Sequence, residues 1–223
     1  MLFKDRVDAG KRLATLLKPY AKRPDVIALA LPRGGVPVAA EIAHAIEAPL
    51  DVLVVRKLGV PGSEETAMGA IASGGFRFLN QDLIEHLKIP PNVIETVAQH
   101  EQQELVRREA AYRDGYPPLD LRDRTVILVD DGLATGATVR VAIAAIKEHH
   151  PKEFIVAVPV ASEAVCEWVG KEVDHIICAE TPRPFYAVGL WYKEFSQTSD
   201  EEVQTLLRKV RKHRFTTAGS DRP

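Results

Sequence analysis

The chain has 223 residues, which is enough for one domain with sizeable additions or for two small domains. Hydrophobic residues make up 46% and charged residues 27%, ordinary values that exclude a disordered or fibrous chain. With 29 basic and 31 acidic residues the net charge is −2, which argues against nucleic acid or an acidic membrane surface as the main ligand.

The amino-terminal sequence lacks the apolar segment of a signal peptide, and no run approaches the roughly 18 apolar residues of a membrane-spanning helix. We therefore expect a cytoplasmic protein. Cys166 and Cys178 lie in apolar stretches and are too few for a disulfide framework, so we expect buried, reduced thiols. The histidines have no HxH or HExxH spacing, which predicts no zinc site.

Short apolar runs rich in β-branched residues predict buried strands at residues 26–31, 51–55, 125–129, 154–158 and 173–178. Helical patterns lie between them, at residues 36–47, 138–149 and 162–169. The alternation of strand and helix predicts an α/β fold with a mainly parallel sheet and helices on both faces.

Two regions interrupt this alternation. Residues 56–121 begin with a Gly/Pro-containing loop, pass through a hairpin around Ser73-Gly74-Gly75, and enter a charged helix that ends near Arg113. Here we expect a lid and a helical insertion that faces solvent at residues 97–105. We expect residues 181–215 to form a C-terminal hood, whose last helix begins at Ser199 with Glu202 in a capping-box position.

These segments predict a single domain over residues 1–223. Its core spans about residues 20–180, and its tail, residues 216–223, is expected to be disordered.

The segment that carries most chemistry is TVILVDDGLATGATV, residues 125–139. Its small residues and hydroxyls, ahead of a helix, suit a phosphate; they are Ala134, Thr135, Gly136, Ala137 and Thr138. Asp130 and Asp131 would repel a phosphate but can accept hydrogen bonds from a vicinal diol or bind Mg²⁺. Turn glycines with a helix-capping Asp pair are the structural alternative, but the combination favours a site for a ribose 5-phosphate.

VILVDDGLATGAT resembles the phosphoribosyl pyrophosphate (PRPP) motif of the type I phosphoribosyltransferases, which have a flavodoxin-like sheet and a small hood. The resemblance implies that Asp130 and Asp131 hold the ribose hydroxyls and, partly through water, Mg²⁺. It also implies that residues 134–138 hold the 5-phosphate.

Two further segments extend the resemblance. Leu31 to Gly35 is similar to the pyrophosphate loop, which implies that Arg33, Gly34 and Gly35 bind the leaving group. VVRKLGVPG resembles the start of the mobile catalytic loop in adenine phosphoribosyltransferases, which implies that Arg56 and Lys57 face pyrophosphate. The structural alternative for this last pair is a solvated strand end.

The acceptor is less specified. Ala134 stands where the 6-oxopurine transferases carry an aspartate, which disfavours hypoxanthine and guanine. The adenine analogy lacks a clear catalytic glutamate, for which Glu64 and Glu65 are only nearby candidates. Phe185, in a segment similar to the hood strand of the 6-oxopurine enzymes, would stack on a base. Packing in the hood or in a dimer interface is an equal alternative for this ring.

The sequence therefore predicts a Mg²⁺-dependent transferase that moves the phosphoribosyl group of PRPP to a nitrogen nucleophile and releases pyrophosphate. A regulatory protein that senses PRPP or a nucleotide, and an unrelated α/β enzyme acting on a sugar phosphate, remain the alternatives. The expected partners are small molecules, without nucleic acid or membrane, and the resemblance implies a homodimer.

Overall fold

A computed structural model describes residues 2–218, with side chains to residue 211. Its main sheet consists of the parallel strands β1 (Val26–Ala30), β2 (Leu50–Val52), β6 (Thr125–Val129), β7 (Glu153–Val160) and β8 (His175–Glu180). They lie in the order β2-β1-β6-β7-β8. Numbered among themselves, the strands follow the flavodoxin-like order of 2-1-3-4-5. The predicted fold class is confirmed.

Helices cover both faces of this sheet, as predicted. The helices α1 (Arg6–Leu16) and α2 (Gly35–Ile46) pack on one face, and α5 (Ala137–Lys147) and α6 (Glu163–Glu172) on the other. In β6, Ile127 and Val129 join the first core while Val126 and Leu128 join the second, because successive side chains of a strand point to opposite faces.

The helix α1 is absent from the sequence prediction. Its N-cap is Asp5, whose carboxylate accepts the N–H of Asp8 at 2.8 Å. Leu13 is fully buried against the sheet. The buried residues of α1 are few and mostly small, so the helical periodicity of its apolar positions is weak in the sequence.

A second sheet replaces the loop predicted at the start of residues 56–121. Its antiparallel strands, β3 (Val55–Val60), β4 (Ser63–Ala72) and β5 (Phe76–Leu79), lie in chain order. The turn at Ser73–Gly75 confirms the predicted hairpin. The predicted strand at residues 51–55 is corrected, because β2 ends at Val52 and Val55 begins β3. The expected lid loop is thus a β-hairpin.

Two helices complete the insertion, α3 (Gln81–Leu87) and α4 (Pro91–Arg113), and the second has the predicted extent. The expectation that residues 97–105 face solvent is wrong on one side of α4. Ala98 and Leu105 are buried there, together with Ile94 and Tyr112, and pack into the same core as α2. Their spacing places them on one face, while charged residues cover the opposite one.

The carboxyl-terminal segment contains a 3-10 turn at Val188–Trp191 and the helix α7 (Asp200–Ala218). No strand forms at residues 184–189, where the sequence resembles a hood strand. The Oγ of Ser199 accepts the N–H of Glu202 at 3.1 Å, in agreement with the predicted cap. Residues 216–218 of the predicted disordered tail belong to α7, and residues 219–223 lie outside the described part of the chain.

The two cysteines are free thiols that are partly rather than fully buried. Their Sγ atoms lie 2.6 Å apart, a proximity that the sequence reading does not predict. Within residues 2–218, none of the helices is both long and apolar enough to cross a membrane.

Candidate functional site

The loop between β6 and α5 lies at the carboxyl edge of the main sheet. It is held at Leu133, which is buried and donates its N–H to the carbonyl oxygen of Val160 at 2.9 Å. Gly136 precedes α5 with a φ of 73°, a conformation that favours glycine. Ala134, Thr135, Ala137 and Thr138 are exposed, so the loop and the first turn of α5 present N–H groups and hydroxyls to solvent. Such a helix end suits an anion.

Asp130 and Asp131 connect β6 to this loop. Asp130 Oδ1 accepts the N–H of Asp131 at 2.9 Å. Burial and the adjacent charge of Asp131 raise the pKa of Asp130 well above its ordinary value. Burial also raises the pKa of Asp131, although the Arg6 guanidinium opposes this shift. The surroundings therefore disfavour the charged form of both carboxylates, and Arg6 offsets only part of this effect at Asp131.

The loop after β1 packs against this acidic pair through two glycines. A Cβ on Gly34 would lie 2.0 Å from Asp131 Oδ2, and one on Gly35 would lie 2.6 Å from the carbonyl oxygen of Val129. Glycine is thus needed for contact between the two loops. Arg33 follows a cis peptide bond with Pro32, and its Nη1 lies 3.9 Å from Asp200 Oδ1.

A cleft of about 1000 Å³ lies between the small sheet, α4 and the loop that joins β6 to α5. It contains residues from all three sequence motifs, namely Pro32, Arg56, Lys57, Thr135, Ala137 and Thr138. The fold thus brings the predicted segments together at one edge of the sheet. Asp130, Asp131 and Arg33 do not line the cleft itself but lie beside it at the ends of β6 and β1.

The cations of the cleft have carboxylate partners that the sequence reading missed. Arg56 Nε lies 2.7 Å from Glu101 Oε2, a residue of α4. Lys57 Nζ lies 3.7 Å from Glu65 Oε2, whose side chain is fully exposed. Of the two glutamates considered for a catalytic role, Glu64 lines the cleft. Nothing in the sequence spacing relates residue 101 to residue 56, because their contact depends on how α4 docks.

Phe185 lies away from the cleft. It packs against a small apolar cluster that includes Phe3, Val160 and Tyr192. This placement agrees with the alternative in which the Phe185 ring packs in the hood rather than stacks on a base.

Arg6 is the residue of this region that sequence reasoning missed altogether. Its Nε and Nη2 both lie 2.8 Å from Asp131 Oδ2. Arg6 is the first residue of α1, and no motif at residue 6 points to a residue so distant in the chain.

The acidic pair fits Mg²⁺ in one particular manner. Within the described residues no cluster of three or more His, Cys, Asp or Glu side chains could hold a metal ion. Mg²⁺ commonly binds one or two carboxylates while keeping waters and sharing substrate phosphate oxygens. Asp130 and Asp131 therefore fit an ion that arrives with a phosphorylated ligand, rather than a resident ion enclosed by the protein.

The fold and the site define an α/β protein of the flavodoxin-like class, with an acidic pair and an exposed loop that suits an anion at the carboxyl edge of its sheet. The sequence model of the phosphoribosyl transferase domain matches residues 6–165. The chain belongs to the phosphoribosyl transferase family. This membership confirms the resemblance and excludes an unrelated sugar-phosphate enzyme.

Individual relatives agree with this assignment. A Mycobacterium tuberculosis protein named "Putative phosphoribosyl transferase" is 42% identical over 219 residues, which are 98% of this chain and 49% of that protein. The chain thus spans about half the length of this curated relative. The crystal structure of TT1426 from Thermus thermophilus is 37% identical, with a TM-score of 0.79 and coverage of 94% of this chain and 99% of that one. The bifunctional protein PyrR of Deinococcus radiodurans is 38% identical over 63 residues, 28% of this chain and 34% of that protein.

Proposed function

We propose that the chain is a Mg²⁺-dependent phosphoribosyltransferase that transfers the 5-phosphoribosyl group of PRPP to a nitrogen nucleophile and releases pyrophosphate. One observation carries this proposal: the loop between β6 and α5 lines the same cleft as Arg56 and Lys57, and the acidic pair lies beside that cleft at the end of β6. PRPP has the matching parts, namely a 5-phosphate, a vicinal diol and a pyrophosphate.

The reaction makes a bond from the acceptor nitrogen to C1 of the ribose and breaks the bond from C1 to the pyrophosphate oxygen. Pyrophosphate leaves with the bonding electrons, and the nitrogen loses its proton. Positive charge grows on the sugar, which the carboxylates of Asp130 and Asp131 stabilise, while Arg33, Arg56 and Lys57 stabilise the leaving group. Mg²⁺ bound with PRPP would add positive charge beside the pyrophosphate oxygens.

The acidic pair provides the test. Replacing both carboxylates by amides, Asp130→Asn with Asp131→Asn, is expected to abolish Mg²⁺-dependent PRPP binding in calorimetry, with at least about a hundredfold loss of affinity. The matched control, Asp120→Asn with Asp123→Asn, removes two exposed carboxylates just before β6 and should bind PRPP normally. Undiminished binding by the first variant would falsify the assignment of the site.

Turnover is measured separately. The protein is incubated with PRPP, Mg²⁺ and a panel of purines, pyrimidines and amines, and pyrophosphate release is followed. Release that depends on one acceptor identifies the enzyme and its substrate. Ala134 disfavours hypoxanthine and guanine, so we expect release with another member of the panel.

A PRPP- or nucleotide-sensing regulator is the second candidate, and one observation favours it. The guanidinium of Arg56 is already paired with Glu101 at 2.7 Å, and such a partner competes with a leaving pyrophosphate. PRPP binding without release of pyrophosphate to any acceptor would support this regulator over the enzyme.

A further inference from the structure

The guanidinium of Arg6 is held on three sides. Its Nε donates to Asp131 Oδ2 at 2.8 Å, its Nη2 lies 2.8 Å from the same oxygen, and its Nη1 donates to the carbonyl oxygen of Ser196 at 2.7 Å. The Phe195 ring lies 3.9 Å from the guanidinium carbon. Only 12% of the Arg6 side chain and 16% of the Asp131 side chain are exposed. A cation fixed in this way is part of a rigid arrangement rather than a mobile surface group.

The start of the described chain and the segment that precedes α7 build this arrangement together. Phe3 donates its N–H to the carbonyl oxygen of Trp191 at 2.8 Å, and its own carbonyl oxygen accepts the N–H of Lys193 at 2.9 Å. This pairing sets α1 beside the segment that contains Tyr192, whose hydroxyl donates to the Asp131 carbonyl oxygen at 2.6 Å. Both the side chain and the backbone of Asp131 are therefore fixed by residues outside the β6–α5 motif.

We propose that Arg6 is a positioning residue for the sugar-binding carboxylate Asp131, an inference that rests on the proposed function. The Arg6 guanidinium lies against Oδ2 through its Nε–H and its Nη2, which leaves Oδ1 to accept a ribose hydroxyl. The cation also offsets one of the two adjacent negative charges, which lowers their mutual repulsion. Asp131 thereby becomes the acceptor for the diol.

The proposal predicts an effect confined to the sugar. The variant Arg6→Met keeps much of the apolar stem while removing the donors and the charge. We expect its affinity for PRPP, and for ribose 5-phosphate as a probe without pyrophosphate, to fall by the same factor of about ten. Its affinity for inorganic pyrophosphate should stay unchanged. KM for PRPP should rise about tenfold while kcat changes less than about threefold.

A double-mutant cycle tests whether Arg6 acts through Asp131. In an Asp131→Asn background, Arg6→Met should produce no further loss of ribose 5-phosphate affinity. Arg6→Lys, which keeps the charge but not the two-donor geometry, should recover part of the loss. The control Arg12→Met removes another arginine of α1 and should leave all three affinities unchanged. Thermal unfolding of each variant, followed by circular dichroism, identifies any that fail to fold.

The outcomes separate the two proposals. Unchanged ribose 5-phosphate affinity in Arg6→Met, equal losses for ribose 5-phosphate and pyrophosphate, or a full effect in the Asp131→Asn background would each overturn the role of Arg6 while leaving the proposed function intact. A wild-type protein that binds no PRPP would overturn the proposed function, and the role of Arg6 with it. If Arg6→Met does not fold, the comparison of Arg6→Lys with the wild type decides, with a sugar-specific loss expected.

Discussion

The two edges of the parallel sheet carry similar side chains in opposite circumstances. At the amino edge, Arg23 Nη2 lies 2.9 Å from Asp25 Oδ2 and 3.3 Å from Glu153 Oε2, and the Thr125 hydroxyl donates to Asp25 Oδ2 at 3.1 Å. These partners, Arg23 above all, hold the pKa of Asp25 well below its usual range. At the carboxyl edge, where Asp130 directly follows the last residue of β6, burial raises the pKa of Asp130.

The difference lies in how completely each charge is paired. At the carboxyl edge, the ion pair found among the described side chains joins Arg6 to Asp131, and none is found for Asp130. The carboxylates of the amino edge favour the folded state, whereas those of the carboxyl edge disfavour it until a ligand supplies donors or positive charge. Perturbed, incompletely paired groups in this position are typical of functional sites. The predictions below alter each side of this contrast in turn.

The largest effect is expected at the contact between the two carboxyl-edge loops. In Gly34→Ala the new methyl group would lie 2.0 Å from Asp131 Oδ2, so the Asp131 carboxylate must shift from its position against Arg6. We expect PRPP affinity to fall by about a hundredfold or more, and the free energy of unfolding by about 1–3 kcal/mol. Calorimetry and urea denaturation measure the two quantities.

The matched control for this substitution is Gly170→Ala. Gly170 lies within α6, where an added Cβ would make an ordinary contact of 3.4 Å with Ile176. Alanine should stabilise the helix by about 0.5–1 kcal/mol and leave PRPP binding unchanged. Equal behaviour of the two variants would contradict the close approach at Gly34.

The second prediction compares one carboxylate from each edge. At a pH above the raised pKa of Asp130, Asp130→Asn should raise the midpoint of thermal unfolding by about 2–4 °C, because it removes a buried charge. Asp25→Asn should lower it, because Arg23 and Thr125 lose their charged partner.

The pH dependence of the two variants follows from the direction of each pKa shift. The wild type loses stability as pH rises from the ordinary value of 3.8 through the raised pKa of Asp130, so the gain of Asp130→Asn should be absent near pH 4 and full above that pKa. The contribution of Asp25 is present above 3.8 and lost as pH falls through its lowered pKa. The loss in Asp25→Asn should therefore disappear only in strong acid. In thermal scans from about pH 3 to about pH 8, the gain of Asp130→Asn should therefore appear as pH rises while the loss in Asp25→Asn persists, and effects of equal sign would contradict the contrast.

The contrast between the edges also explains what the sequence could predict. The strand at residues 125–129 matches β6 at both ends, because a fully buried parallel strand is a continuous apolar run. Asp130 and Asp131 directly follow this run, so their position at the carboxyl edge is a local property. The same holds for Gly136, which stands where α5 begins.

What depends on packing between distant segments was not predictable. The hairpin of β3 and β4 has no clear alternation, and the buried face of α4 consists of few apolar residues among many charges. Arg6 and Glu101 reach the site only because α1 and α4 dock on the sheet. Short-range patterns report which residues are buried, but not which distant charge lies beside a given carboxylate.

The smallest predicted effect concerns Arg56. This residue is intermediate between the two edges, because it is a candidate for pyrophosphate binding and already has a carboxylate partner, Glu101. In Glu101→Gln the carboxylate that lies 2.7 Å from the Arg56 Nε becomes neutral. The guanidinium can then give more of its charge to a bound anion, so we expect affinity for inorganic pyrophosphate to rise about three- to fivefold. The gain should vanish when Arg56→Ala is added.

The control for this last change is Glu104→Gln, on the same helix. Glu104 pairs with Arg107 and Arg108 at 2.7 Å, and these arginines hold its pKa at about 2. The substitution Glu104→Gln removes the same charge from α4 without changing a partner of Arg56. A general change in electrostatic potential would therefore affect both variants alike. A gain in pyrophosphate affinity confined to Glu101→Gln would therefore place the competition at the Arg56 guanidinium itself. Equal gains in the two variants, or none in Glu101→Gln, would show that the ion pair leaves Arg56 as available to an anion as an unpaired arginine.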